Sequence, residues 1–254
     1  MTAGLLIYDL LYLLVSFTFY GAAGRAAMEI TERVEWAWVG VPAGVCGFLL
    51  CLIALSWVVC LVLPRLEAGS YSMLKGRVFY GWLLRSLVRR VVFFGPLKPA
   101  IFSVNVLRFL ALRAQGARIA FTANVSSDVD LLDPALLTLG PGVTLGARCL
   151  LSGHYVIGRR LVLDRVVIGA DTLLAAEVAV MPGVRIGAHV LVEPQVSIGR
   201  DVVVGDGARI GRRTVLDLGA RVAEGELVPP YAVIRSRDAE AESSAAASGR
   251  SPGG

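Results

Sequence analysis

His154 and His189 are the only histidines in this 254-residue sequence, so they alone carry side chains whose ordinary titration falls near neutral pH. An imidazole can take a proton from a hydroxyl or amine as that group attacks a carbonyl. The work is easier when a carboxylate holds the other ring nitrogen and a backbone N-H or similar donor receives the developing oxyanion. Asp164 follows His154 closely enough in sequence to be its expected orienting carboxylate, and Glu193 is a candidate for holding a substrate. The cysteines, Cys46, Cys51, Cys60 and Cys149, lack metal-ligand spacing and read as small apolar packing residues in a reducing compartment. No metal is expected.

The elements that must position these residues are written in a period of six. From Ile168 an aliphatic residue returns at every sixth position through Leu174, Val180, Ile186, Val192, Ile198, Val204, Ile210, Leu216 and Val222. A helix does not return a residue to one face every six, and a flat strand alternates every two, so the chain must turn a corner once per hexad. Four residues after each aliphatic comes a small or β-branched residue, among them Thr172, Val178, Val184, Val190 and Ala208. The residue directly after the aliphatic is often Gly, as in Ile186-Gly187, Ile198-Gly199, Val204-Gly205 and Ile210-Gly211. Short strands with both side chains inward, joined at corners where Gly relieves crowding, satisfy the pattern, and three hexads close one triangular coil. On this reading Ile198→Asp disrupts a coil and a change at Arg200 does not.

The period also separates the two histidines. Coils begin at Ile119, with Val125 and Leu131, shift register at Leu137-Thr138-Leu139, and resume through Leu145 and Leu151. Counting in sixes from Leu151 gives Ile157 and Leu163, but the next aliphatic-Gly pair is Ile168-Gly169, one residue short. Either a loop between Tyr155 and Val167 leaves the prism or one coil is tightened. His154 stands at a corner immediately before this irregularity, where a pocket wall can form, and is the expected general base. His189 occupies the outward corner of a regular hexad and reads as a solvated or subunit-contact residue.

The rest of the sequence points to a membrane. More than half of the residues are hydrophobic, at 56%, and the mean hydropathy is +0.67. Residues 36–63 carry no charge and exceed the ~20 residues that cross a bilayer. Trp36, Trp38 and Trp57 suit its interfaces. Residues 5–23 are interrupted by Asp9, which would cost roughly 2.5 to 3.5 kcal/mol at the bilayer centre and less near a helix end. No basic residue precedes this stretch, which favours a retained helix over a cleaved signal peptide.

Between 65 and 113 lie nine Arg or Lys residues opposed only by Glu67, so the C-terminal domain is expected to face the cytosol from the cell (inner) membrane. The net charge of +5 is concentrated there and interleaved with apolar residues from Leu83 to Phe94. That pattern reads better as an interfacial amphipathic helix meeting anionic membrane lipid than as a helix packed on the end of the β domain, and no nucleic-acid motif accompanies it. The expected organisation is a membrane anchor over 1–63, a basic juxtamembrane region over 64–114, the coiled domain over 115–235 and a disordered tail over 236–254.

The sustained hexads resemble the [LIV]-G-x-x-[STAV]-x signature of the left-handed parallel β-helix of hexapeptide-repeat acyltransferases. The junction over 69–116, with Tyr71, Tyr80-Gly81-Trp82, the basic run from Arg85 to Arg90, Leu107-Arg108 and Gly116-Ala117-Arg118-Ile119, resembles the membrane-anchored C-terminal module of ε-poly-lysine-synthetase-type proteins. The resemblance implies a mainly β fold, a left-handed parallel β-helix after two transmembrane helices. It also implies acyl transfer from acetyl-CoA or another acyl-CoA, a homotrimer with sites between prisms, and one histidine as base.

The donor would be bordered by Gly187, Gly199, Gly205 and Arg212, and the acceptor would be a small molecule or a lipid-linked saccharide or other envelope precursor. Two departures stand beside this. The usual G-x-P-A after the exit segment is replaced by Ile234-Arg235-Ser236-Arg237, and the acidic residues usual after the histidine are absent. They favour the alternative of a non-catalytic β-helix that docks a membrane-bound biosynthetic complex. β-Helix carbonic anhydrases are also similar in fold, but they bind zinc through three histidines, which this chain does not have.

Overall fold

The computed structural model describes residues 2–236, and the tail expected to be disordered lies outside the described residues from 237 onward. Two long helices open the chain, α1 over Thr2–Glu32 and α2 over Ala37–Val62. Both are long and apolar enough to cross a membrane. α1 runs past the expected end near residue 23 because the following residues are good helix formers and Arg25 pairs with Glu29 one turn on, at 3.3 Å. The two helices pack as a hairpin. Gly44 lets them approach, since a Cβ there would stand 2.3 Å from the hydroxyl oxygen of Thr31.

Three shorter helices follow, α3 over Arg77–Val92, α4 over Leu97–Ser103 and α5 over Asn105–Ala114. α3 is amphipathic as its sequence requires, but its apolar stripe of Leu87, Val88, Val91 and Val92 is turned inward and buried. Of the two sequence readings of this segment, the packed helix is the one that forms. A single core runs from Phe19 and Leu52 in the hairpin through Val88, Ile101 and Leu112 to Ile119 in the first coil.

From Arg118 the chain winds into a parallel β-helix with three sheets of six strands each. Ile168 lies beside Ile186 and Ile186 beside Val204, so from Ile168 onward each coil takes 18 residues. The left-handed parallel β-helix expected from the hexads is therefore the fold. Apart from Ile157, the aliphatic positions from Ile119 to Val222 and the small positions from Thr172 to Ala220 are buried, and each buried aliphatic contributes roughly 1.5 to 3 kcal/mol before conformational entropy is subtracted.

Two features of the corners separate roles that the sequence merged. The Gly directly after each aliphatic faces the next coil, as at Gly187, where a Cβ would stand 2.8 Å from the Asp206 nitrogen. The left-handed backbone comes two residues later, at φ 56° in His189, 63° in Gln195 and 59° in Asp201.

The missing residue after Leu151 is accounted for by an extruded hairpin. His154–Ile157 and Arg160–Leu163 pair antiparallel, and Gly69–Ser72 from the juxtamembrane region adds a third strand. Ile157, inward by a strict count of six, is exposed in this hairpin, while Leu161 and Leu163 are buried with Phe79 and Leu136 in a second, smaller core.

Candidate active site

The corner that carries His154 follows a sheet whose neighbouring strands are Asp130–Leu131 and Leu150–Leu151, with Leu131 beside Leu151. Two residues beyond these partners stand Asp133 and Gly153, so successive coils bring both to one edge. Asp133 is pinned by the backbone after it, where Pro134–Leu136 forms a single 3-10 turn. Gly153 is required here, because a Cβ would stand 2.7 Å from the Leu136 Cβ and 3.2 Å from the Asp133 Cβ. Without that side chain the Gly153 N-H donates to Asp133 Oδ2 at 3.0 Å.

His154 Nδ1 meets the same oxygen at 2.6 Å. The other carboxylate oxygen accepts from the indole Nε1-H of Trp82 on α3 at 2.8 Å. The Trp82 ring also meets the imidazole edge-on, with centroids 4.9 Å apart. Asp133 is 4% exposed and the His154 side chain 23%, so a buried carboxylate holds a ring that still reaches the surface. With Nδ1-H donated to Asp133, Nε2 is left as the acceptor. Ser152 completes the turn by donating to the His154 carbonyl at 2.7 Å. The arrangement is a histidine fixed in one tautomer and one orientation, with a free basic nitrogen, which is the requirement for a general base.

The carboxylate that meets His154 is thus Asp133 and not Asp164. The hairpin register explains the difference: His154 lies opposite Leu163, so Asp164 falls just past the pair, its N-H donating to the Gly153 carbonyl at 2.8 Å. Its side chain turns back to accept from the Arg165 N-H at 2.6 Å. His189 lies apart on an exposed corner, 3.9 Å from Asp171. Glu193 accepts from the Arg212 backbone N-H at 2.8 Å and so ties two coils together.

The residues expected to border a coenzyme are distributed over all three edges of the prism. Gly187 and Gly205 follow strands of one sheet, Gly199 a strand of the second, and Arg212 a strand of the third. Of the four, only Gly199 shares the edge of His154. Next to it Arg200 stands over the Tyr155 ring at 4.0 Å and fastens the extruded hairpin to the coils below. Arg200, whose change is expected to leave the coil intact, has this partner because the hairpin folds down along the edge.

Asp133, Trp82 and Arg200 were not selected from sequence as site residues. Asp133 had a signal: Leu131 and Leu139 are eight apart where the period demands six, and Asp133 sits in that surplus. Trp82 had none, since it reaches the site from another element. Among the described residues there is no cluster of His, Cys, Asp or Glu able to hold a metal ion.

No family model matches the chain, and no curated protein does. Solved structures with a similar course of chain include a hexapeptide transferase family protein from Anaplasma phagocytophilum, at 18% identity over 47% of this chain and 70% of that one, with a TM-score of 0.24. A mutant of GDP-perosamine N-acetyl transferase from Caulobacter crescentus, in complex with CoA and GDP-perosamine, is 17% identical over 54% of this chain and 64% of that one, with a TM-score of 0.32. Serine acetyltransferase from Neisseria gonorrhoeae is 12% identical over 82% of this chain and 74% of that one, with a TM-score of 0.31.

Proposed function

We propose that this chain is a membrane-anchored acyltransferase that moves an acetyl or other acyl group from an acyl-CoA to a hydroxyl or amine on a saccharide or envelope precursor at the cytosolic face. The observation that carries this reading is the pairing of His154 with the buried Asp133 at 2.6 Å, which leaves Nε2 as the only ring nitrogen free to accept a proton. The hexads supply the second support through their resemblance to acyltransferase repeats. The two apolar helices support an anchor, and the positive residues after α2 support the cytosolic side.

His154 Nε2 takes the acceptor's proton as its oxygen or nitrogen attacks the thioester carbonyl. The tetrahedral intermediate collapses with loss of the coenzyme thiolate, and the imidazolium returns the proton to sulfur, so the ring ends neutral. Asp133 stabilises the transient imidazolium and keeps the ring from turning. Trp82 and the Gly153 N-H each donate to Asp133 and hold the carboxylate in place against the ring. Of the residues expected at the coenzyme, Gly199 shares the His154 edge, which supports it as the one that borders the coenzyme there. Either Gly187 with Gly205, or Arg212, reaches the same coenzyme only if a homotrimer brings that edge of a second prism to the groove.

Purified full-length protein and a folded His154→Ala variant are to be given labelled acetyl-CoA together with a membrane and metabolite extract. Label incorporated by the wild type and reduced a hundredfold or more in the variant is expected. Incorporation by neither, with no binding of acetyl-CoA or longer acyl-CoAs, would overturn the reading in favour of a docking β-helix.

A further inference from the structure

Five arginines from separate segments converge on one pocket of ≈ 380 Å³. Arg65 follows α2, Arg85 belongs to α3, Arg113 to α5, Arg118 to the first coil, and Arg165 follows the extruded hairpin. No carboxylate among the described residues lies within ion-pair distance of any of them. Five like charges drawn together by folding, with no counter-charge from the chain, form a site that is electrostatically incomplete.

Two buried polar groups mark it as built rather than incidental. The guanidinium of Arg85 is held by the carbonyls of Cys60 and Leu63 at 2.9 and 3.2 Å, yet its Nε is buried without a partner. Gln115 is only 4% exposed, and neither its amide oxygen nor its nitrogen has a partner. It borders a small void that shares Arg85 and Ala135 with the arginine pocket. Buried unsatisfied groups of this kind are rare and costly. The lining also has an apolar part, to which Trp57 and Leu61, both exposed on α2, contribute.

We propose that this pocket binds a mono- or diphosphate group. Its position ties it to the reaction: Arg85 stands one turn after Trp82 on α3, and Ala135 lies two residues after Asp133. On the acyltransferase reading, on which this step rests, the acceptor therefore enters as a phosphorylated species whose anionic end sits among the arginines and whose apolar part lies along α2. Guanidinium groups suit the task because they bind phosphate oxygens in bidentate pairs and stay charged when partly buried.

Calorimetric titration of the detergent-purified full-length protein with farnesyl diphosphate, and separately with inorganic pyrophosphate, tests this. The comparison is with an Arg113→Gln, Arg118→Gln double variant, whose altered side chains are exposed, and with Arg209→Gln, Arg221→Gln on the coils as control. The wild type and control should bind, and the double variant should bind at least tenfold more weakly. If the double variant does not fold, Arg165→Gln takes its place.

A tenfold preference for farnesyl diphosphate identifies a lipid-borne ligand, and equal affinity identifies a soluble phosphate. No binding of either anion by the wild type, or equal affinity in wild type and pocket variant, overturns the proposal. Binding without any acyl transfer would remove the acyltransferase reading and leave the pocket standing, whereas transfer without anion binding would remove only the pocket.

Discussion

Asp133 has three donors around its two oxygens, drawn from two separate stretches of chain: Trp82 from α3, Gly153 and His154 from the corner one coil on. Asp133→Asn keeps the shape but presents either an amide NH₂ to His154 Nδ1, forcing the proton to Nε2, or a weaker neutral acceptor. We expect the turnover of labelled acetyl to fall by about a hundredfold or more while the thermal midpoint changes little. Asp164→Asn should retain nearly full turnover in the same assay, since that carboxylate serves only the Arg165 N-H. A large loss there with Asp133→Asn active would reverse the assignment.

At this scale the sequence was half legible. Scarcity alone singled out His154, because a chain with two histidines offers few bases. Its partner stayed hidden because contact between coils depends on stacking, and the nearer carboxylate in sequence is displaced by the hairpin.

The corner and the hairpin act as one device for aiming the imidazole. Gly153 allows two coils to close to the distance at which its own N-H reaches Asp133, and Arg200 holds the hairpin down through Tyr155. Gly153→Ala must push Leu136 or Asp133 aside, so tenfold or greater loss of turnover is expected with the coils intact by circular dichroism. Arg200→Ala should instead leave the melt unchanged, accelerate amide hydrogen exchange across residues 154–163, and lower turnover a few-fold. Unchanged exchange would mean the cation-π contact is not what holds the hairpin.

The existence of an irregularity was readable from the one-residue deficit before Ile168. That it takes the form of a hairpin was not, because its third strand, Gly69–Ser72, comes from a distant segment. The inward positions of the coils, by contrast, were written residue by residue, since a strict six-residue period tolerates no other packing.

At the scale of the whole molecule, the helical hairpin and the β-helix share one core, so the anchor is more than a tether. Tyr20 of α1 donates to the Val91 carbonyl at 2.8 Å, Arg85 is held by the carbonyl end of α2, and Val88, Val91, Val92 and Leu112 are sealed between hairpin and coils. Removing residues 1–63 would uncover these side chains at roughly 1.5 to 3 kcal/mol for each one fully exposed, against a net stability on the order of 5 to 15 kcal/mol for an ordinary domain.

The fragment 64–254 should therefore be insoluble, or in detergent melt at least ten degrees below the full chain, with the loss beginning in α3 and α5 and the later coils most resistant. Hydrogen exchange resolved along the chain would show that order directly. A fragment that melts with the full-length midpoint would mean instead that the β-helix folds without regard to its anchor, and that the shared core adds nothing to its stability.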